Sequence, residues 1–146
     1  MAHRTVLLRS NSFREEAKAG EASIYPGQCV EWSAAGTVLM NNTQGRPTTG
    51  LMIAIENALM GDDVDDAYSN GARVQFHYAV PGDYFALRCK ASENIAFGDK
   101  ITVDNAGDFV EASSGETVVA ISMEAAGALT ADTLVKCLIV NPEWTA

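Results

Sequence analysis

Residues 73–90 read Arg73-Val74-Gln75-Phe76-His77-Tyr78-Ala79-Val80-Pro81-Gly82-Asp83-Tyr84-Phe85-Ala86-Leu87-Arg88-Cys89-Lys90. In the first half, Val74, Phe76, Tyr78 and Val80 share one side of an extended chain while Arg73, Gln75 and His77 share the other, the period of two that marks a strand. The second half repeats the pattern, with Phe85, Leu87 and Cys89 expected inward and Arg88 and Lys90 outward. Pro81-Gly82-Asp83 supplies turn chemistry between the two. The stretch therefore predicts a β-hairpin with one face in a core and the other facing water or a partner.

Outward from it the punctuation continues. The twelve glycines stand mostly 7 to 12 residues apart, the turn spacing of a small sandwich or barrel. Gly-Asp precedes an apolar strand start at Gly82-Asp83-Tyr84-Phe85, Gly98-Asp99-Lys100-Ile101 and Gly107-Asp108-Phe109-Val110. Aspartate in such a turn bonds back to the local backbone and sets register without entering chemistry. Asp104-Asn105-Ala106-Gly107 closes a short hairpin between 101–103 and 109–111, and further strands are expected over 28–32, 37–40, 51–55, 118–123 and 134–140. The chain thus reads as all-β, a small β-barrel or β-sandwich of about eight short antiparallel strands, since both architectures share this period and spacing.

Two segments carry helical patterns. Residues 56–60 form a brief turn into the acidic loop Gly61-Asp62-Asp63-Val64-Asp65-Asp66, and Ser12–Ala19 spans about two turns of helix. Residues 1–22 have few large apolar groups and read as a flexible, extended N-terminal arm outside a β-rich domain of residues 23–146. At the other end, 141–146 is a short tail whose Trp144 either anchors a neighbouring subunit or packs back on its own sheet.

A length of 146 residues corresponds to one ordinary domain, and 47% hydrophobic with 20% charged residues sustains its own core, which excludes wholesale disorder and a disulfide-stapled miniprotein. No apolar run nears the roughly 20 residues that cross a bilayer. Thr5-Val6-Leu7-Leu8 is too short for the apolar part of a signal peptide, so synthesis in the cytoplasm and no membrane partner are expected. The net charge of −9 is unevenly spread: residues 1–20 hold four basic against two acidic groups, residues 21–146 six against seventeen. Such a body lacks the concentrated positive face of a nucleic-acid binder, whereas the basic arm suits an acidic protein surface. Cys29, Cys89 and Cys137 lie far apart in apolar stretches without metal-ligand spacing, and read as reduced, buried thiols.

The familiar catalytic signatures are absent: no phosphate-cradling glycine loop, no GxSxG elbow and no HExxH. A thiol relay through His77 fails on the period of two, which sends Cys89 to a core and His77 to the opposite face of its strand. Asp62, Asp63, Asp65 and Asp66 offer hard-cation ligands but depart from the EF-hand pattern, having Tyr68 where its turn glycine stands. Trp32 beside Glu31, and His77 beside Tyr78, suit either ligand stacking in a glycan-binding module or a subunit interface. No cofactor, metal or catalytic residue is expected.

The order of features over 51–140 can be compared with a known family. An apolar strand leads to Asp66-Ala67-Tyr68-Ser69-Asn70-Gly71, Val74–Val80 and Gly82-Asp83. Then come Ile95-Ala96-Phe97-Gly98-Asp99-Lys100-Ile101, the Gly107-Asp108-Phe109-Val110 turn, Val118-Val119-Ala120-Ile121-Ser122-Met123-Glu124-Ala125 and a last apolar strand. This order resembles the head decoration, or capsid cement, proteins of tailed bacteriophages, with residues 1–50 similar in character only. The resemblance implies a small β-rich domain with a flexible N-terminal arm, assembled as trimers at the local threefold positions of the shell.

On that resemblance the protein is expected to be a structural, non-enzymatic virion component, made in the host cytoplasm, that binds the major capsid protein outside the expanded shell. It would stabilise the shell against internal DNA pressure without contacting nucleic acid itself. A homotrimer would add three weak contacts into avidity. Arg4, Arg9, Phe13, Arg14 and Lys18 on the arm are the expected capsid contacts, and Trp32, His77 and Trp144 the expected subunit contacts. The alternatives are another virion part of similar build, such as a tail or head-fibre base domain, and a soluble β-module that binds a glycan or metal ion.

Overall fold

The computed structural model describes residues 3–10 and 12–144, the side chains of 143 and 144 excepted. In chain order the strands are β1 (Leu7–Arg9), β2 (Arg14–Ala19), β3 (Cys29–Ala34), β4 (Thr37–Met40), β5 (Met52–Ala54), β6 (Arg73–Tyr78), β7 (Tyr84–Cys89), β8 (Asn94–Ile95), β9 (Lys100–Val103), β10 (Phe109–Glu111), β11 (Thr117–Ser122), β12 (Gly127–Ala128) and β13 (Thr133–Trp144). One 3₁₀ turn, Ala58–Met60, is the helical structure among the described residues. The fold is all-β, as the alternation and glycine spacing predict.

The strands form two rings. β2, β4, β3, β5 and β6 close a first barrel, and β7, β10, β9, β11 and β13 close a second through the β13–β7 pairing, with β1 added on β7. Each ring has five strands, and an odd ring cannot alternate direction all the way round, so one parallel pair must close it. In the first barrel that pair is β2–β4, with Lys18 opposite Thr37. In the second it is β7–β10, with Phe109 opposite Cys89. The expectation of an antiparallel set is corrected at these two seams.

Residues 73–90 do not form the predicted hairpin. β6 pairs with β2 and β5, and β7 pairs with β1, β10 and β13, so Pro81-Gly82-Asp83 carries the chain from one barrel to the other. The first barrel is inserted between β1 and β7, two strands that pair across the insertion. The two crossings are clamped together: Ser10 Oγ donates to Asp83 Oδ2 at 2.8 Å, Ser12 Oγ lies 3.0 Å from His77 Nδ1, and the Tyr78 N–H donates to the Phe13 carbonyl. The hairpin from Ile101–Val103 to Phe109–Glu111 does form, with Phe109 opposite Val103.

The expected arm is not outside the core. Residues 14–19 are strand β2, paired with β6 from Arg14↔His77 to Lys18↔Arg73, and the helix expected over Ser12–Ala19 is absent. Ala17 and Ala19 are buried in the first barrel and Val6 in the second. The local pattern Arg-Glu-Glu-Ala-Lys-Ala is a good helix former, but as a strand it pairs along β6 and, at Lys18 and Ala19, with β4, which closes the ring, and two small residues let it close tightly. The expected tail likewise begins as strand, since β13 runs on to Trp144 with Thr117 as its cross-strand partner.

Two cores result. The first barrel encloses Ile24, Val30, Val38, Met52, Tyr68, Val74 and Phe76 with Ala17, Ala19 and Ala54. The second encloses a larger aliphatic set around Phe85 and Phe109. Ile53 and Ile55 face away from the first core and join the second. The barrels are also stitched through backbone: the Cys29 N–H donates to the Gly107 carbonyl at 2.8 Å and the Arg88 N–H to the Gly27 carbonyl at 3.0 Å.

Candidate interaction surface

The expected docking and interface residues scatter over both barrels. Arg4 is exposed near the start, Phe13 is 84% exposed just before β2, and Arg14 and Lys18 project from the first barrel. Arg9 belongs to the second barrel, through β1. Trp32 is half-buried, its indole Nε1–H donating to Tyr78 Oη at 2.9 Å and its ring edge-on to Phe76 at 5.5 Å, so it packs on its own barrel. The backbone of Trp144 ends β13, and its side chain lies outside the described residues.

His77 is corrected from a wet or partner-facing position to a buried one. The second barrel covers it, where the ring meets Phe85 edge-on at 6.2 Å. Burial, reinforced by Arg14, lowers its pKa. Ser12, His77 and Asp83 are the residue types of an acyl-transfer relay, but the Asp83 carboxylate accepts from Ser10 and from the Val80 N–H, and no bond from Asp83 to the imidazole completes the chain. Cys29, Cys89 and Cys137 are free and buried. Burial pushes the Cys29 thiol up to about 12, and contact with Cys89 and burial raise Cys137 well above its ordinary value. Thiolates are thereby disfavoured.

The acidic loop is organised by its own backbone. Asp66 Oδ2 accepts the Asp63 N–H and Asp63 Oδ1 accepts the Asp65 N–H. Arg88, buried beneath, donates to the carbonyls of Pro26 and Val64 and so ties the loop to the barrels. Among the described residues no group of three or more His, Cys, Asp or Glu side chains is placed to hold a metal ion. The repeated Gly-Asp turns behave as read at two of three sites: Asp83 and Asp99 each accept the N–H three residues upstream, from Val80 and Ala96. Asp108 instead accepts from Gln28 Nε2 in the buried seam, where desolvation raises its pKa to about 6.

Beyond the Leu59–Met60 turn, a groove of about 540 Å³ runs along β2 and β6, lined in part by Glu16, Asn57, Arg73 and Gln75. A more organised surface lies on the outside of the second barrel. Cross-strand partners place Lys100 beside Ile121, Ile121 beside Leu138, Leu138 beside Tyr84 and Tyr84 beside Arg9. These five residues form one row across β9, β11, β13, β7 and β1. Their sequence neighbours Ile101, Ala120, Cys137 and Phe85 are buried, so the row points outward. Lys136, two residues before Leu138, shares the face.

The charges of this row are held over one ring. Arg9 Cζ lies 4.4 Å and Lys136 Nζ 5.1 Å from the Tyr84 ring centroid. Neither these cations nor Lys100 has a carboxylate within ion-pair distance among the described residues. Sequence reading found Arg9 alone, because the row exists only through register. The trace it leaves is that Ile121 and Leu138 are apolar at positions the alternation sends outward.

No family model matches the chain, and no curated protein matches it. Among solved structures, the fold is similar to that of the N base of head fiber gp8.5 in bacteriophage phi29, with a TM-score of 0.56 and 16% identity over 87% of this chain and 92% of that one. At that identity the two share a fold, and nearly the whole of each takes part in it.

Proposed function

We propose that the protein is a structural component of a tailed-phage head that binds the outside of the capsid through the major capsid protein. The observation that carries this reading is the fold shared with a head-fibre base over 87% of this chain and 92% of the other. The order of motifs over 51–140, similar to capsid decoration proteins, supports it independently of the structure. The arrangement of side chains suits a binding role: polar groups at the barrel crossings are spent on tying strands together, and the three thiols are buried.

Two forms of this role differ in arithmetic. A cement protein reinforces the lattice by binding the expanded shell in preference to its alternatives, and a trimer at local threefold positions multiplies weak contacts into avidity. A fibre base anchors a projecting structure at chosen positions, and the shared fold favours this second form. Density-gradient sedimentation of the protein with purified expanded heads of the encoding phage, counted per major capsid subunit, tests both. A saturable ratio near one supports cement, and a small fixed fraction supports a fibre base. Absence of co-migration would overturn the head assignment and direct attention to ligand binding.

A further inference from the structure

We propose that the row Lys100, Ile121, Leu138, Tyr84 and Arg9, with Lys136, is the docking face of this protein and that its partner is an acidic protein surface with apolar residues at its centre. This deepens the head-protein reading and rests on it.

The charge pattern selects the partner. The chain carries −9 overall, yet this face holds three cations without carboxylate partners among the described residues. Arg9 and Lys136 reach the Tyr84 ring from the strands on either side of β7, and an incoming carboxylate is favoured at either cation. Glu124, just beyond β11, is engaged: one oxygen, Oε1, lies 2.9 Å from His3 Nε2 and accepts the Lys136 N–H. The middle of the row is apolar. Ile121 and Leu138 sit half-exposed between the cations, the arrangement of a desolvated centre inside a charged rim.

Geometry favours a protein over a nucleic acid. Neighbouring strands stand about 4.8 Å apart, and the row follows the curve of the closed sheet, so the face is a convex band on rigid sheet. Phosphate backbones gain nothing from the aliphatic centre, and the acidic remainder of the chain repels a polyanion that extends past the patch. The sheet fixes the backbone of the row, and the Tyr84 ring holds Arg9 and Lys136 against it, which reduces the ordering cost on docking.

The test compares wild type, the triple variant Arg9→Glu/Lys100→Glu/Lys136→Glu, its neutral counterpart Arg9→Gln/Lys100→Gln/Lys136→Gln, and a control reversed at two exposed cations outside the row, Arg46→Glu/Arg73→Glu. All are first shown to keep the wild-type melting temperature within a few degrees; variants that fail this are replaced by the corresponding single substitutions. Co-sedimentation with heads is then measured across salt concentrations. The expected result is salt-weakened wild-type binding, at least about tenfold weaker binding by the Glu variant, an intermediate Gln variant and an unchanged control. Equal binding by wild type and the Glu variant overturns the docking face and leaves the head assignment standing. No wild-type binding overturns the head assignment and this inference with it. Two further outcomes also overturn it: wild-type self-association abolished by the Glu variant, which makes the face a contact between copies, and duplex-DNA binding abolished by it, which makes the partner a nucleic acid.

Discussion

The two barrels reach closure by different means. The second is built largely from one continuous stretch, β7 to β13, and its core is a broad aliphatic set around two phenylalanines. The first needs β2, a strand with mostly exposed side chains that contributes only two alanines to the interior, to complete its ring. One barrel is held by the volume of its core, the other by a backbone seam around a small one. A strand of weak hydrophobic content can therefore be essential where it removes two sheet edges at once.

The largest test of that contrast is truncation. A chain beginning at residue 20 loses β1 and β2, leaves β4 and β6 as open edges and is expected to lose the first barrel. Trp32 fluorescence should shift to its solvent-exposed value, whereas an unchanged spectrum would mean that the seam is dispensable. A free arm would instead be removed without loss of folding.

Next come the cores. Phe76→Ala and Phe109→Ala should each cost about 3–5 kcal/mol by removing a fully buried ring. If the stitches between barrels make one cooperative unit, both substitutions lower the same denaturant midpoint, and two separated transitions would show that the barrels unfold independently.

The stitch itself is probed at Gly107, which has φ of +80° and whose added Cβ would stand 2.8 Å from the Cys29 carbonyl oxygen. Gly107→Ala is expected to destabilise by about 3 kcal/mol, combining backbone strain with a clash across the seam. Gly36→Ala, at a similar φ of +73° but open to space, should cost about 1 kcal/mol. Equal losses, measured by urea denaturation, would remove the close approach from the explanation.

A smaller effect belongs to the seam's acid. Asp108 has a folded pKa of about 6 against an ordinary 3.8, so the folded chain keeps a proton that the unfolded chain has released. Its contribution is most favourable below the ordinary value and declines as pH rises from there to about 6. Asp108→Asn should flatten that slope and gain stability at neutral pH, read from melting temperature against pH; an unaltered slope would refute it.

The smallest effect is that of His77, with the opposite sign. Its folded pKa is lowered, so the unfolded chain binds the extra proton. Its contribution is complete above the ordinary histidine range and declines as pH falls through it. His77→Gln should shrink the loss of stability on acidification, and melting curves from pH 7 to 5 would detect it.

Strand positions were legible where alternation and turn chemistry agreed. The segment 37–40 coincides with β4, and 101–103 with 109–111 form the expected hairpin. What misled was adjacency. The turn at Pro81-Gly82-Asp83 is local and readable, but whether its flanking strands pair depends on which other strands compete for their edges. β2 was illegible for the same reason, since its hexapeptide fits a helix in isolation. The cationic row was partly visible as outward apolar residues at 121 and 138, and became a surface only when registers aligned them.

By itself, the sequence determined that this chain is all-β, that its strands break at glycine-marked turns and that its cysteines are buried, because period, turn propensity and hydrophobicity act over a few residues. Only the tertiary structure decided that there are two five-membered rings, that residues 14–19 close one of them, that His77 is inside, and that Arg9, Tyr84, Lys136, Leu138, Ile121 and Lys100 share a face. Those outcomes follow from pairing between distant segments, where the energy of satisfying whole edges and cores outweighs any local preference.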